Sequence, residues 1–206
     1  MNILIIGASG MIGRRLVAEA VSRGHQVTAA ARNPNRIDAR PGVTPQRLEV
    51  TDIPALSAAA AGADVVIAAA SPRSTGNPAA EAMAYVEALI AGLAGKRLVM
   101  VGGAGSLNLP DGSPVADHVP EPYNAEARAM RAAFERLAAS EADFTVLAPA
   151  GVIAPGELTG RFRLGGRTLL TDAEGQSRIS VEDFAVALID EVERPAHRGT
   201  IFTAAY

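Results

Sequence analysis

Three glycines at intervals of three, in Gly7-Ala8-Ser9-Gly10-Met11-Ile12-Gly13, follow directly on the aliphatic run Ile3 to Ile6. The chemistry this spacing serves is the binding of a pyrophosphate. The first glycine allows a tight turn out of a strand, the second lets the backbone approach the phosphates, and the third lets helix and strand pack closely. A helix opening at Met11 then offers free N–H groups and the positive end of its dipole to the anion. A glycine-rich turn without a ligand shares these letters. The context favours the binding site, with four aliphatics before the loop and an amphipathic helix after it. Ser9, Met11 and Ile12 join the glycines as candidate cofactor-binding residues.

The end of the second strand discriminates between dinucleotides. Sites for NAD usually carry a carboxylate there, about 20 residues beyond the glycines, to bind ribose hydroxyls. Here Val27-Thr28-Ala29-Ala30-Ala31 is followed by Arg32-Asn33-Pro34, with no acid. The Arg32 guanidinium suits a charge-assisted fork on a 2′-phosphate, which a carboxylate would repel. The expected cofactor is NADP(H), ahead of NAD(H); the other reading of Arg32 is a solvated loop arginine. Asp52-Ile53, after the third strand, falls beside the adenine in such folds, where a carboxylate can accept the exocyclic amine. Capping the next helix is an equal role for Asp52, and the two are compatible.

Such a site needs several strand ends on one edge. Met11 to Arg23 reads as a helix stopped by Gly24. Strands are expected at Val27 to Ala31, Arg47 to Val50, within Ala63 to Ala70, and at Leu98 to Val101 and Phe144 to Ala148. Helices are expected around Pro54 to Ala61, Ala79 to Ala94 and Asn124 to Ser140. This alternation predicts an α/β Rossmann fold, a doubly wound parallel sheet, in one domain spanning 1–206. Beyond Pro149 the rhythm changes. Arg161 to Leu170 looks like a hairpin turning at Gly165-Gly166. Ser180 caps a helix to Glu193 with Asp183 at its third position, and Phe202 lies in a last short strand. Residues 150–206 read as a substrate-side elaboration of the same domain.

Ligands bind at the carboxyl ends of such strands. Gly102 and Gly103 after the fifth strand are placed to let backbone lie close to a nicotinamide ribose, and Ser106 to hydrogen-bond a substrate. A flexible glycine loop with a solvated serine is an equal reading. Pro149, Ala150, Gly151 and Val152 after the sixth strand should flank the nicotinamide carboxamide. His118, in a proline-rich loop, is a candidate general acid near neutral pH, or simply solvated.

Composition narrows the field. Apolar residues make up 49%, enough for a full core, and a net charge of -3 argues against a nucleic-acid partner. The absence of cysteine removes thiolate zinc sites and cysteine nucleophiles, and no His/Asp/Glu cluster has metal-ligand spacing. No apolar run approaches the ~18 residues that span a membrane. With no signal peptide in view, the expected location is cytoplasmic. The Ala-rich helix serves as core or interface equally, which leaves monomer and homodimer open.

The glycine loop, Arg32-Asn33-Pro34 and Val50-Thr51-Asp52 resemble the atypical short-chain dehydrogenase/reductases. Phe144-Thr145-Val146-Leu147-Ala148-Pro149 and Gly175-Gln176-Ser177-Arg178-Ile179-Ser180, running on through Asp183 and Ala185, are similar to segments of the NmrA-like and NADH-flavin-reductase-like members. Biliverdin reductase B is a related type. The resemblance implies the fold, the dinucleotide, and a role for the backbone of Ala69, Ala70 and Ser71 over the cofactor ribose. The family's usual proton relay is Tyr-x-x-x-Lys with a serine, the lysine lowering the tyrosine pKa. Tyr123 stands in the right region, but Ala127 follows where lysine is expected, and the sole lysine, Lys96, lies elsewhere. The expected activity is hydride transfer from NADPH to a flavin, quinone or related planar acceptor, which can take its proton from water. Alternatives are a non-catalytic NADP-sensing regulator and a reductase or epimerase of a specialised metabolite.

Overall fold

The computed structural model describes residues 1–206. Its central strands are apolar on both faces. In β1 (Asn2–Ile6), Leu4 and Ile6 join one buried cluster and Ile3 and Ile5 the other. The same alternation divides Val66 and Ala68 from Val65 and Ile67 in β4 (Val65–Ala68), and Leu98 and Met100 from Val99 and Val101 in β5 (Arg97–Val101). Strands of this kind must be covered on both sides, as in a parallel α/β sheet.

The remaining strands are β2 (Gln26–Ala31), β3 (Val43–Arg47), β6 (Phe144–Pro149), β7 (Val152–Ala154), β8 (Arg163–Gly165), β9 (Arg178–Ser180) and β10 (Ile201–Ala205). Eight form one sheet in the order β3-β2-β1-β4-β5-β6-β10-β8. All its pairings are parallel except β10 with β8. Helices α1 (Met11–Ser22) and α5 (Val181–Glu193) close one face. Helices α2 (Ile53–Ala60), α3 (Pro78–Gly92) and α4 (Asn124–Ala138) close the other. The winding reverses between β1 and β4, which pair side by side. A crevice outside the carboxyl ends of these strands is where such sheets bind ligands.

Three local expectations are corrected. The third strand runs over Val43–Arg47 and not Arg47 to Val50: its register with β2 starts at Val27 opposite Val43 and ends with β2 itself at Ala31 opposite Arg47. Residues 48–50 thereby leave the sheet. The hairpin at Gly165-Gly166 does not form. Residues 163–165 pair with β10, while Asn108 N–H donates to the Arg167 carbonyl and Leu169 N–H to that of Asn108. The unforeseen β7 and β9 pair in a small parallel sheet of their own.

Asp183 anchors the 157–163 segment. Its carboxylate accepts from Thr159 N–H and Gly160 N–H at 3.0 and 2.8 Å, and from the Thr159 and Tyr206 hydroxyls. Burial opposes its charge, yet these donors hold the carboxyl below its ordinary value.

At the amino-terminal end of the sheet Arg97 donates to the Val192 and Glu191 carbonyls at 2.9 and 2.8 Å, capping α5. The Glu191 carboxylate, almost wholly buried, lies 3.5 Å from the same guanidinium and accepts from Ala196 and His197 N–H at 3.1 Å. It also pairs with His197 Nδ1 at 2.8 Å, and that ring stacks on Phe202 with centroids 4.0 Å apart.

Candidate functional site

The site starts from the turn after β1. Gly7 has φ +83, and a Cβ there would stand 2.7 Å from the Ala69 carbonyl oxygen. A Cβ on Gly13 would strike the Gly7 carbonyl. Both glycines are required by close approach, whatever binds above them. The helix that follows is open. Asp52, Asn77 and Ser180 cap α2, α3 and α5 by accepting a backbone N–H, whereas Gly10 heads α1 with no side-chain cap and no acid in the first turn. Uncapped N–H groups and the dipole end make this turn a ready anion site.

Two cavities meet over it, sharing the wall at Ala70 and Ser71. The larger, about 620 Å³, runs from Gly7 and Ser9 past Arg32 to Glu49 and Thr51, with Ala84 and Tyr85 of α3 on its other side. Arg32, Asn33 and Arg36 place two guanidinium groups on its wall at the end of β2. The smaller, about 360 Å³, starts at Gly10, Met11 and Ile12. It is bounded by Ala69, the 101–105 loop, Pro149 to Gly151, and α4. Together they offer a long cleft with cations at one end, an uncapped helix at the middle and a mostly apolar chamber at the other. This arrangement fits a dinucleotide.

A single stripe of α4 walls the smaller cavity. Tyr123, Glu126, Ala127 and Met130 recur at helical spacing, one above another. Ala127 packs against the loop after β5, since a Cβ on Gly105 would come within 2.8 Å of the Ala127 Cβ. Likewise a Cβ on Gly102 would meet Val146 at 2.7 Å, and one on Gly103 would meet Met130 at 3.1 Å. These glycines let the loop lie against β6 and α4 while Gly102 and Gly103 also line the cavity.

The loop after β4 spans the two cavities. Arg73 lines the smaller one and pairs with Glu126 of α4 through contacts of 2.8 and 3.1 Å. Ser74 and Thr75 line the larger one and donate amide and hydroxyl hydrogens to Glu81. Those four donors lower the Glu81 carboxyl to about 2.

Most of the residues expected from sequence border the cleft: Gly7, Ser9, Gly10, Met11, Ile12, Arg32, Ala69, Ala70, Ser71, Gly102, Gly103, Pro149, Ala150, Gly151 and Tyr123. Others stand apart. Gly13 is buried beneath the loop. Asp52 and Ile53 lie outside both cavities, and the Asp52 carboxylate accepts Ala55 N–H at 3.1 Å; Glu49 and Thr51 line the cavity instead. Val152 is 62% exposed, and its neighbour Ile153 turns inward because side chains alternate along β7. Ser106 is fully buried, its hydroxyl donating to the Met130 carbonyl at 3.3 Å, and it lines neither cavity. His118 is exposed beside Ser113, outside the cleft. Arg36, Glu49, Arg73, Glu126 and Tyr85 were not foreseen. A basic residue four beyond Arg32 was the one available signal for Arg36. No group of three or more His, Cys, Asp or Glu side chains is arranged to hold a metal ion, and no helix is long and apolar enough to cross a membrane.

Solved structures share this architecture over the whole chain. One from Burkholderia pseudomallei, of a candidate exported protein, is 42% identical with a TM-score of 0.89 and full coverage of both chains. One from Bacteroides thetaiotaomicron, named as a candidate epimerase, is 34% identical with a TM-score of 0.90, covering 100% of this chain and 96% of that one. A Streptococcus pneumoniae protein named as a candidate NADH-flavin reductase is 29% identical with a TM-score of 0.89, covering 100% and 99%. The chain belongs to the NAD(P)H-binding family, whose model matches residues 7–192.

Proposed function

We propose that this member of the NAD(P)H-binding family is an NADPH-dependent reductase that passes a hydride to a flavin, quinone or related planar acceptor. The observation that carries the reading is the smaller cavity. It is a largely apolar chamber against the uncapped end of α1, in which Tyr123 is the only hydroxyl-bearing ring and Ala127 sits where a relay lysine would stand. The one carboxylate on its wall, Glu126, is taken up by Arg73, which suits an acceptor that draws its proton from water.

When bound, the nicotinamide supplies the hydride. The chain's own contribution is binding and orientation. Met11 and Ile12 present backbone N–H groups to the pyrophosphate, while the Gly10 N–H is held by the Gly7 carbonyl at 3.0 Å and shapes the turn. Arg32 and Arg36 hold the 2′-phosphate in the larger cavity. Pro149 to Gly151 and the 101–105 loop confine the ring, and the exposed Met11 and Tyr123 flank the mouth where an acceptor would stack. Proximity then supplies the rate. The name of the Streptococcus relative supports this choice of acceptor class.

The test is NADPH oxidation with FMN, riboflavin and a simple quinone, run in parallel on Arg32→Ala protein. Acceptor-dependent oxidation is expected. The variant's Kd for NADPH should rise about 10- to 100-fold, as for loss of charge-assisted hydrogen bonds, while that for NADH stays within a factor of about two. Tight NADPH binding with no turnover of any acceptor would replace the reductase by a sensor.

A further inference from the structure

Tyr85 carries a hydroxyl that the packing of α3 does not explain. Only 6% of the residue is exposed, and its ring belongs to the buried cluster beneath α3. Yet it also lines the larger cavity, beside the Ala70 amide where that cavity meets the smaller one. A single hydrogen bond reaches the oxygen, a long one of 3.4 Å donated by Ala70 N–H. The hydroxyl hydrogen has no acceptor in the protein. Buried polar hydrogens are nearly always paired, because leaving one unmade costs its full desolvation. Phenylalanine would fill the same space without that cost. Burial also pushes the phenol above its ordinary value, so it stays protonated and remains a donor.

The other polar side chain that α3 presents to this wall is already engaged. Glu81, one turn before Tyr85 on the same face of α3, is taken up by Ser74 and Thr75. Arg32 and Arg36 lie across the cavity at the end of β2. Between them the lining is apolar, with Ile6, Leu48, Ala80 and Ala84 suited to a flat base.

We propose that Tyr85 is a cofactor-binding residue, its hydroxyl donating a hydrogen bond to an acceptor atom on the adenosine half of the dinucleotide. The assignment rests on the adenosine half lying in the larger cavity, and on no particular acceptor or turnover.

Titration calorimetry on Tyr85→Phe tests it with NADPH, 2′-phospho-ADP-ribose and reduced nicotinamide mononucleotide. Loss of one neutral hydrogen bond should raise the Kd of the first two about five- to tenfold and leave the third unchanged. The ligand-free variant should melt no lower than the parent. Unchanged affinities, or an equal loss for the mononucleotide, would overturn the assignment. So would failure of 2′-phospho-ADP-ribose to bind the parent, which would leave the reductase reading to its own assay. A second measurement needs no change at Tyr85. In protein labelled with carbon-13 at the tyrosine Cζ, the Tyr85 signal is identified by eliminating those of Tyr123 and Tyr206 with Tyr123→Phe and Tyr206→Phe. It should move on adding 2′-phospho-ADP-ribose and stay still with the mononucleotide; a stationary signal refutes the contact.

Discussion

At the amino-terminal end of the sheet, polar groups are turned inward on one another. Arg97 caps α5, Glu191 gathers Arg97, His197 and two backbone amides, and the His197 ring lies on Phe202. At the carboxyl-terminal end the polar groups are left facing outward. The first turn of α1 has no cap, Arg32 and Arg36 line a cavity, and the Tyr85 hydroxyl keeps an unused hydrogen. One end spends its polar groups, Arg97 Nε excepted, on holding helices and strands together, while the other holds them ready for a ligand. The difference teaches where substitutions should cost stability alone and where they should cost binding as well.

The sharpest break in this contrast is Glu191→Ala. It strips a buried guanidinium of its counter-charge and two amides of their acceptor, and should destabilise the fold by about 3–5 kcal/mol in urea denaturation. Protein that remains folded should bind NADPH as the parent does; lost affinity would mean that the two ends are coupled. Gly13→Ala acts at the other end. Its Cβ collides with the Gly7 carbonyl, so a loss of about 3 kcal/mol is expected. Here the NADPH Kd should rise too, because the phosphate turn itself is displaced. Stability loss with unchanged affinity would separate the turn from the cofactor.

The smallest effect concerns Asp183, which ties the 157–163 segment to α5. Its carboxyl sits below the ordinary value in the folded protein, so its contribution is complete above the unfolded value of about 3.9 and is lost as the pH falls through the lower folded one. Asp183→Asn should cost about 1–2 kcal/mol near neutrality and flatten part of the acid limb of stability. An acid limb identical to that of the parent would assign the loss to other carboxylates, among them Glu182 and Glu193, which are also held low.

The sheet was legible because its strands are short apolar runs separated by long helical stretches, and the phosphate turn because glycine spacing reports a backbone requirement directly. Arg32 could be found from its place after β2. The wall formed by α4 could not, since the Tyr123, Glu126, Ala127 and Met130 stripe shows that a face is used without showing what it meets. One glycine pair misled. Gly165-Gly166 has the letters of a hairpin turn, but β10 and Asn108 compete for the strands on either side of it. Gly102 and Gly103 line the smaller cavity and also pack against Val146 and Met130, a second requirement that their letters do not reveal. Arg73 and Glu126 lie 53 residues apart and meet only because the loop after β4 reaches across to α4.

The common wall at Ala70 and Ser71 has an optical consequence. The chain has three tyrosines and no tryptophan, so its ultraviolet emission comes from phenol rings alone. Tyr85 looks into one cavity, Tyr123 stands at the mouth of the other, and Tyr206 lies away from both, bonded to Asp183. Each half of the cleft thus contains its own chromophore, and a ligand entering one half perturbs a different ring from a ligand entering the other. Fragments confined to one half, such as 2′-phospho-ADP-ribose and reduced nicotinamide mononucleotide, should therefore quench different phenols, with no label added to the protein.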